Sequence, residues 1–138
     1  MMARDIFHNA VKIALQKEGW KITHDPLPIE SMGFNVLIDL GAENIIAAAR
    51  NGERIAVEIK SFASASDVSQ FHMALGQFLN YRDALMDQDP DRTLFLAIPQ
   101  DAFESTFQLP FVRRANERYQ LKLIVYHPIQ EAIVQWIL

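Results

Sequence analysis

Ile45-Ile46-Ala47-Ala48-Ala49-Arg50-Asn51-Gly52-Glu53-Arg54-Ile55-Ala56-Val57-Glu58-Ile59-Lys60-Ser61 is the stretch that decides the fold. Two strand-like runs, Ile45 to Arg50 and Glu53 to Ser61, flank Asn51-Gly52. Both turn residues tolerate positive φ, so a two-residue hairpin joins the runs. In the second run Ile55, Val57 and Ile59 alternate with Ala56, Glu58 and Lys60. A period of two sets Glu58 and Lys60 side by side on one face, opposite the apolar residues.

Working outward, Ile6, Phe7, Ala10, Val11, Ala14 and Leu15 recur at helical spacing and Gly19 follows, which predicts an amphipathic helix over 4–18. Trp20 to Asp25 is short and β-prone, and Pro26 and Pro28 exclude regular helix after it. Val36 to Leu40 is a strand candidate that Gly41 interrupts. Downstream of the hairpin, Ser66 or Asp67 caps a second helix. Its expected inner stripe is Val68, Phe71, Leu75, Phe78, Leu79, Arg82 and Leu85, with Pro90 beyond its end. Thr93 to Ile98 is a continuous apolar run of the buried-strand type. Pro110 suits a first helical turn, so 110–119 reads as a third helix. Leu121 to Tyr126 and Ile133 to Ile137 read as two closing strands. The order is α, a three-strand meander ending in the hairpin, α, β, α, β, β. That order implies an α/β sandwich with an antiparallel hairpin inside a mixed sheet.

The 138 residues suit one domain, 1–138, with no repeat or linker. Half are apolar and 22% charged, which excludes disordered, collagenous and coiled-coil classes. No apolar run approaches the ~18 residues that span a bilayer, and charge follows Met1-Met2-Ala3 at once, so neither membrane insertion nor a signal peptide is expected. There are no cysteines, which removes disulfides, thiolate zinc sites and cysteine nucleophiles. A cytoplasmic location is the expectation. Thirteen basic and 17 acidic residues give a net charge of −4, so any contact with nucleic acid needs a local basic patch. Five singly scattered glycines form no phosphate loop.

Asp39 lies between the apolar Ile38 and Leu40, an odd place for a lone carboxylate. If the meander brings Asp39 beside Glu58, two carboxylates and the Lys60 amine converge. Hard carboxylate oxygens suit Mg²⁺ or Mn²⁺. A neighbouring ammonium orients water or stabilises charge on a phosphoryl oxygen. Such a set would hydrolyse a phosphodiester. The competing reading is a plain ion pair, because Glu-x-Lys on a solvated sheet face is common. Glu43 is an alternative first carboxylate: counting back from the Asn-Gly turn, an unbroken hairpin pairs Glu43 with Lys60. Bringing in Asp39 requires a bulge near Gly41.

Helix, strands, helix and strand, with an Asp and then Glu-x-Lys, resemble the PD-(D/E)XK nuclease superfamily, the restriction-endonuclease-like sandwich with an α-β-β-β-α-β core. Leu37-Ile38-Asp39-Leu40 and Ile55-Ala56-Val57-Glu58-Ile59-Lys60-Ser61 resemble its signature strands. More closely, Asp5-Ile6-Phe7-His8, Gly19-Trp20-Lys21-Ile22-Thr23-His24-Asp25-Pro26, Ile38-Asp39-Leu40-Gly41-Ala42-Glu43 and Ala56-Val57-Glu58-Ile59-Lys60-Ser61-Phe62 resemble the XisH family. So do Ala74-Leu75-Gly76-Gln77-Phe78, Tyr81-Arg82-Asp83 and the closing Ile133-Val134-Gln135-Trp136-Ile137. The likeness covers nearly the whole chain. Members are called fdxN element excision controlling factors and are linked to programmed DNA excision in cyanobacteria, beside a small partner, XisI, and a recombinase. The resemblance implies catalytic Asp39, Glu58, Lys60 and Gln77, the last matching a helix Gln of resolvase-like members, and a metal held by Asp39 and Glu58. It implies a metal-dependent endonuclease or a nuclease-derived DNA-binding accessory. The alternative is a catalytically inactive module holding a XisI-like partner. Family members commonly carry Glu at the position of Ala49 and Gly-Gly-Arg near Gly33-Phe34-Asn35, so the resemblance carries no role over to those positions, while the core triad is unaffected.

His8, His24, His72 and His127 share no metal-ligand spacing. Glu18, closing the first helix, is a candidate auxiliary ligand. Arg113, Arg114, Arg118 and Lys122 form a small basic cluster, read as a solvated helix face or a phosphate contact. Asp83, Asp87, Asp89 and Asp91 form an acidic patch. The closing strand, apolar at six of the seven positions 132–138, is expected at a sheet edge. Ile133, Gln135 and Ile137 make one of its faces and Val134, Trp136 and Leu138 the other. Either the third helix covers the outer face, or a second copy (a homodimer) or the XisI-like protein buries Trp136.

Overall fold

The computed structural model describes residues 3–31, 33–35, 45–63 and 67–138. Four α-helices are described: α1 (Ala3–Lys17), α2 (Asp67–Gln88), α3 (Gln100–Glu104) and α4 (Pro110–Tyr119), with a 3₁₀ turn at Thr106–Gln108 between the last two. The strands are β1 (Lys21–His24), β2 (Glu30–Ser31), β3 (Phe34–Asn35), β4 (Ile45–Arg50), β5 (Glu53–Ile59), β6 (Arg92–Pro99), β7 (Leu123–His127) and β8 (Ala132–Ile137). Six of them form one mixed sheet in the order β1-β4-β5-β6-β7-β8, and β2-β3 make a separate ribbon.

The Asn51-Gly52 turn has φ of 53° and 83° at its two residues, as the two-residue hairpin requires. Its register runs unbroken from Arg50 opposite Glu53 to Ile45 opposite Glu58. β5 and β6 are parallel and joined through α2, so the sheet turns mixed at β5. β6 and β7 are parallel too, and β8 returns antiparallel at the edge. The segment Val36 to Leu40 lies outside the described residues; the strand described against the outer side of β4 is β1.

Each face of the sheet carries its own core. On one, Ala10, Val11 and Leu15 of α1 meet Ile46, Val57, Phe95, Ile124 and Tyr126. On the other, Phe71, Phe78 and Leu85 of α2 meet Ile45, Ala56, Leu94, Leu96 and Ile98, with Phe107 and Val112 closing the far end. Gly19, at φ 86°, ends α1, and Trp20 then donates back to the Leu15 carbonyl at 3.1 Å. α4 starts at Pro110 and ends at the left-handed Gln120, matching the expected 110–119.

Two expectations change. The inner stripe of α2 is Phe71, Ala74, Phe78, Tyr81, Ala84 and Leu85, whereas Val68 is exposed and Leu75, Leu79 and Arg82 lie on the flank. Apart from Leu85, the residues of this stripe are small or aromatic. On β8, Val125 opposes Gln135 and Tyr126 opposes Ile133, so Val134 is an extra, bulged residue. The bulge breaks the expected alternation: Ile133 and Trp136 both pack on the α1 side, and Ile137 packs on the α2 side. Trp136 is accordingly occupied within the chain. Its ring lies 5.8 Å from that of Trp20 and edge-on to Phe95 at 5.1 Å, and its Nε1 donates to Glu18 at 2.9 Å.

Candidate active site

β5 is interior, with β4 on one side and β6 on the other, and its alternation points Ala56 and Glu58 toward α2. Glu58 is opposite Ile45 on β4 and Leu96 on β6, and only 1% of it is exposed. A carboxylate so placed is costly unless something compensates it. Lys60 is the compensation in reach: its Nζ lies 3.7 Å from Glu58 Oε2, an ion-pair distance too long for a hydrogen bond. Glu58 Oε1 is buried and accepts no hydrogen bond from the described residues. Burial pushes the carboxyl up from 4.5 to about 7, against the opposing pull of Lys60.

Lys60 is held at both ends. Its backbone N–H donates to the Ala97 carbonyl at 3.0 Å, extending the β6 pairing one residue past β5, and its carbonyl accepts from the buried Tyr126 hydroxyl at 3.0 Å. Its Nζ donates to Gln77 Oε1 on α2 at 2.5 Å. Sequence reasoning singled out Glu58, Lys60 and Gln77, and the fold brings these three together. Asp39, the other predicted carboxylate, lies outside the described residues, as do Glu43 and Gly41, where a bulge was expected. The register that pairs Glu43 with Lys60 holds as far as Ile45.

Sequence reasoning missed Tyr81. It lies one helical turn beyond Gln77, is buried, and the charge of Glu58 helps burial to hold its phenol above the ordinary tyrosine range. The i, i+4 spacing from Gln77 was the available signal, but an aromatic on an apolar stripe reads first as core.

Other candidates sit elsewhere. Glu18 is no ligand beside Glu58: it lies at the C-terminal end of α1, on the opposite face, and holds the Trp136 indole. Its carbonyl accepts from Arg50, at the turn end of the hairpin and therefore the far end of β5 from Glu58. His8 and Lys12 pair with Asp25 at 2.8 and 2.7 Å, which tethers α1 to the chain after β1. His127 Nδ1 accepts from the β7–β8 turn. Among the described residues no three histidines or carboxylates group as metal ligands. Arg113, Arg114 and Arg118 are exposed along α4 and Lys122 is half-exposed. The acidic patch is partly spent inside the fold: Asp87 accepts from Ser31, and Asp89 binds Arg54 and Arg92, which hold its carboxyl below the usual range.

The family model described as XisH protein matches residues 1–134. The crystal structure of an XisH family protein from Nostoc punctiforme PCC 73102 is 48% identical, with a TM-score of 0.89 over 97% of this chain and 100% of that one. That of an fdxN element excision controlling factor protein from Anabaena variabilis is also 48% identical, with a TM-score of 0.90 over 97% of this chain and 99% of that one. No curated protein matches.

Proposed function

The chain belongs to the XisH family, and from that premise we propose that it is a factor controlling programmed DNA excision through a metal-dependent nuclease site. In this reading its sandwich is of the restriction-endonuclease-like, PD-(D/E)XK type. The observation that carries it is Glu58: a buried carboxylate with one oxygen unpartnered among the described residues, beside an ammonium fixed by a helix amide. A purely structural ion pair would satisfy both oxygens. An unpaired hard oxygen fits Mg²⁺ or Mn²⁺, with Glu58 and Asp39 as the holding carboxylates. The metal would supply Lewis-acid polarisation of a DNA phosphoryl oxygen.

The chain's own groups do the rest. An ammonium has three donors. On Lys60 one goes to Gln77 and one is directed at Glu58, which leaves the third for a phosphoryl oxygen or an attacking water. Gln77 positions that amine, and the Tyr126 bond fixes the backbone that carries it. The test is incubation of linear and branched DNA with Mg²⁺ or Mn²⁺, with and without a XisI-like partner. Products formed by the wild type and lost in Glu58→Gln support the reading.

A second reading rests on β8. It is an edge strand without a charged residue, with Val134 and Leu138 exposed, and the whole chain carries −4. An idle nuclease fold would then hold a XisI-like protein, a recombinase or a second copy along that edge. Absence of cleavage together with a complex that depends on β8 selects this reading.

A further inference from the structure

Phe62, two residues beyond Lys60, takes a left-handed φ of 50°, and its ring meets that of Phe107 edge-on at 5.3 Å. Phe107 meets Phe71 of α2 edge-on at 5.6 Å, and Phe71 meets Phe111 of α4 in the same way at 6.1 Å. Phe111 then lies 6.2 Å from His72, with the two ring planes inclined by 38°. This row of rings starts beside the candidate site and ends in solvent. Phe71 and Phe107 are buried, whereas Phe111 is 46% exposed and His72 is exposed. Core packing accounts for the inner rings and leaves the outer two open.

α4 carries Phe111, Arg114 and Arg118 at positions i, i+3 and i+7, so the ring and both cations share one helix face. At 1.5 Å per residue, Arg114 stands about 4.5 Å and Arg118 about 10.5 Å along the axis from Phe111. Both arginines are exposed, and neither side chain has a hydrogen-bond or ion-pair partner among the described residues. Glu117, the one acid of α4, stands one turn beyond Arg113 and off that face. An apolar partner would cover the rings but desolvate two unpaired cations beside them. Free phosphate would meet the cations and leave the rings idle. Unpaired nucleotides carry both complements, a π-face on each base and a charge on each phosphate. In a duplex the base faces are already stacked on one another.

We propose that Phe111 and His72 stack an unpaired base while Arg114 and Arg118 hold phosphates of the same strand, so that the DNA this chain takes contains a single-stranded segment. The inference names the substrate class of the site at Glu58 and rests on the reading of the chain as a factor that acts on DNA. The three ring contacts from Phe62 to Phe111 span no more than roughly five nucleotides at 3.4 Å per nucleotide, so one strand reaches both places.

The test is fluorescence anisotropy of the full chain with a labelled oligothymidylate in EDTA, where neither cleavage nor a metal contact enters. An abasic strand of the same length, which keeps the phosphates and lacks the bases, and a blunt duplex serve as comparison probes. The expected result is at least tenfold tighter binding of oligothymidylate than of either comparison probe. Phe111→Leu keeps an apolar contact on Phe71 but has no π-face, and it should remove that preference. Phe111→Trp should retain it, and Arg114→Gln with Arg118→Gln should weaken the binding of both single strands. Equal binding of oligothymidylate and abasic strand, or a preference that survives Phe111→Leu, would overturn the proposal. Absence of binding to all three probes would overturn it as well and leave the patch to a protein partner. Failure of the nuclease reading shows separately, as wild-type protein that binds oligothymidylate yet cleaves no DNA when Mg²⁺ or Mn²⁺ is added.

Discussion

Replacing Glu58 by glutamine should make the protein more stable at alkaline pH and leave it nearly unchanged in acid. In the folded chain the Glu58 carboxyl titrates near 7, against 4.5 for a free one. Between those values the unfolded chain has released a proton that the folded chain retains, so folding stability falls as pH rises through the window. Each pH unit of separation corresponds to about 1.4 kcal/mol, so the ionised carboxylate costs the fold roughly 3 kcal/mol above pH 7. Glutamine keeps the shape but carries no charge to bury. For a chain of this length the gain is on the order of 10 °C in Tm at pH 8. Urea unfolding of both proteins at pH 5 and at pH 8 measures it, given equal m-values. A Glu58→Gln protein that is less stable at pH 8, or a difference that does not change between the two pH values, would refute the reasoning. A stability gain on removing a charge is the mark of a residue retained for chemistry rather than for the fold.

Trp136→Ala should cost about 2 kcal/mol, roughly half the loss of a fully buried tryptophan, because it removes the packing on Trp20 and Phe95 and the bond to Glu18; thermal unfolding reads it, and a loss under half that size would show the ring to be idle. Deleting 134–138 should abolish any assembly made through the β8 edge, and a truncated, folded protein of unchanged mass by light scattering would place the interface elsewhere. DNA binding by the isolated chain should be weak and steeply salt-dependent; Arg114→Gln with Arg118→Gln should flatten the slope of log K against log salt by about 0.9 for every phosphate these arginines neutralise. An unchanged slope would remove α4 from the DNA surface.

Much of this fold was legible because a few residues act locally. Asn51-Gly52 sets the hairpin and its register, Gly19 ends α1, and Pro110 starts α4, each through backbone dihedrals that neighbours do not alter. The pairing of Glu58 with Lys60 followed from the period of a strand, and Gln77 from resemblance. What was not legible depends on distant partners. The Val134 bulge is invisible in an alternating apolar run, and it decides which side Trp136 takes. α3 has no side-chain cap to announce it, and the two-residue strands β2 and β3 lie below any period. Tyr81 reads as core until the carboxylate beneath it is known. Fold and site differ here in kind: turns are written in single residues, whereas the burial of Glu58 is a property of β4, β6 and α2 together.

The measurement that bears most directly on the site is calorimetric titration of Mn²⁺ into the wild-type chain and into Glu58→Gln at pH 8. The Glu58 carboxyl is mostly ionised there and an anionic oxygen is free to bind. The expected result is one strong site in the wild type, none in the variant, and release of a proton on binding when the titration is repeated below pH 7. Equal Mn²⁺ uptake by the two proteins would contradict a metal site at Glu58 and, with it, the nuclease reading.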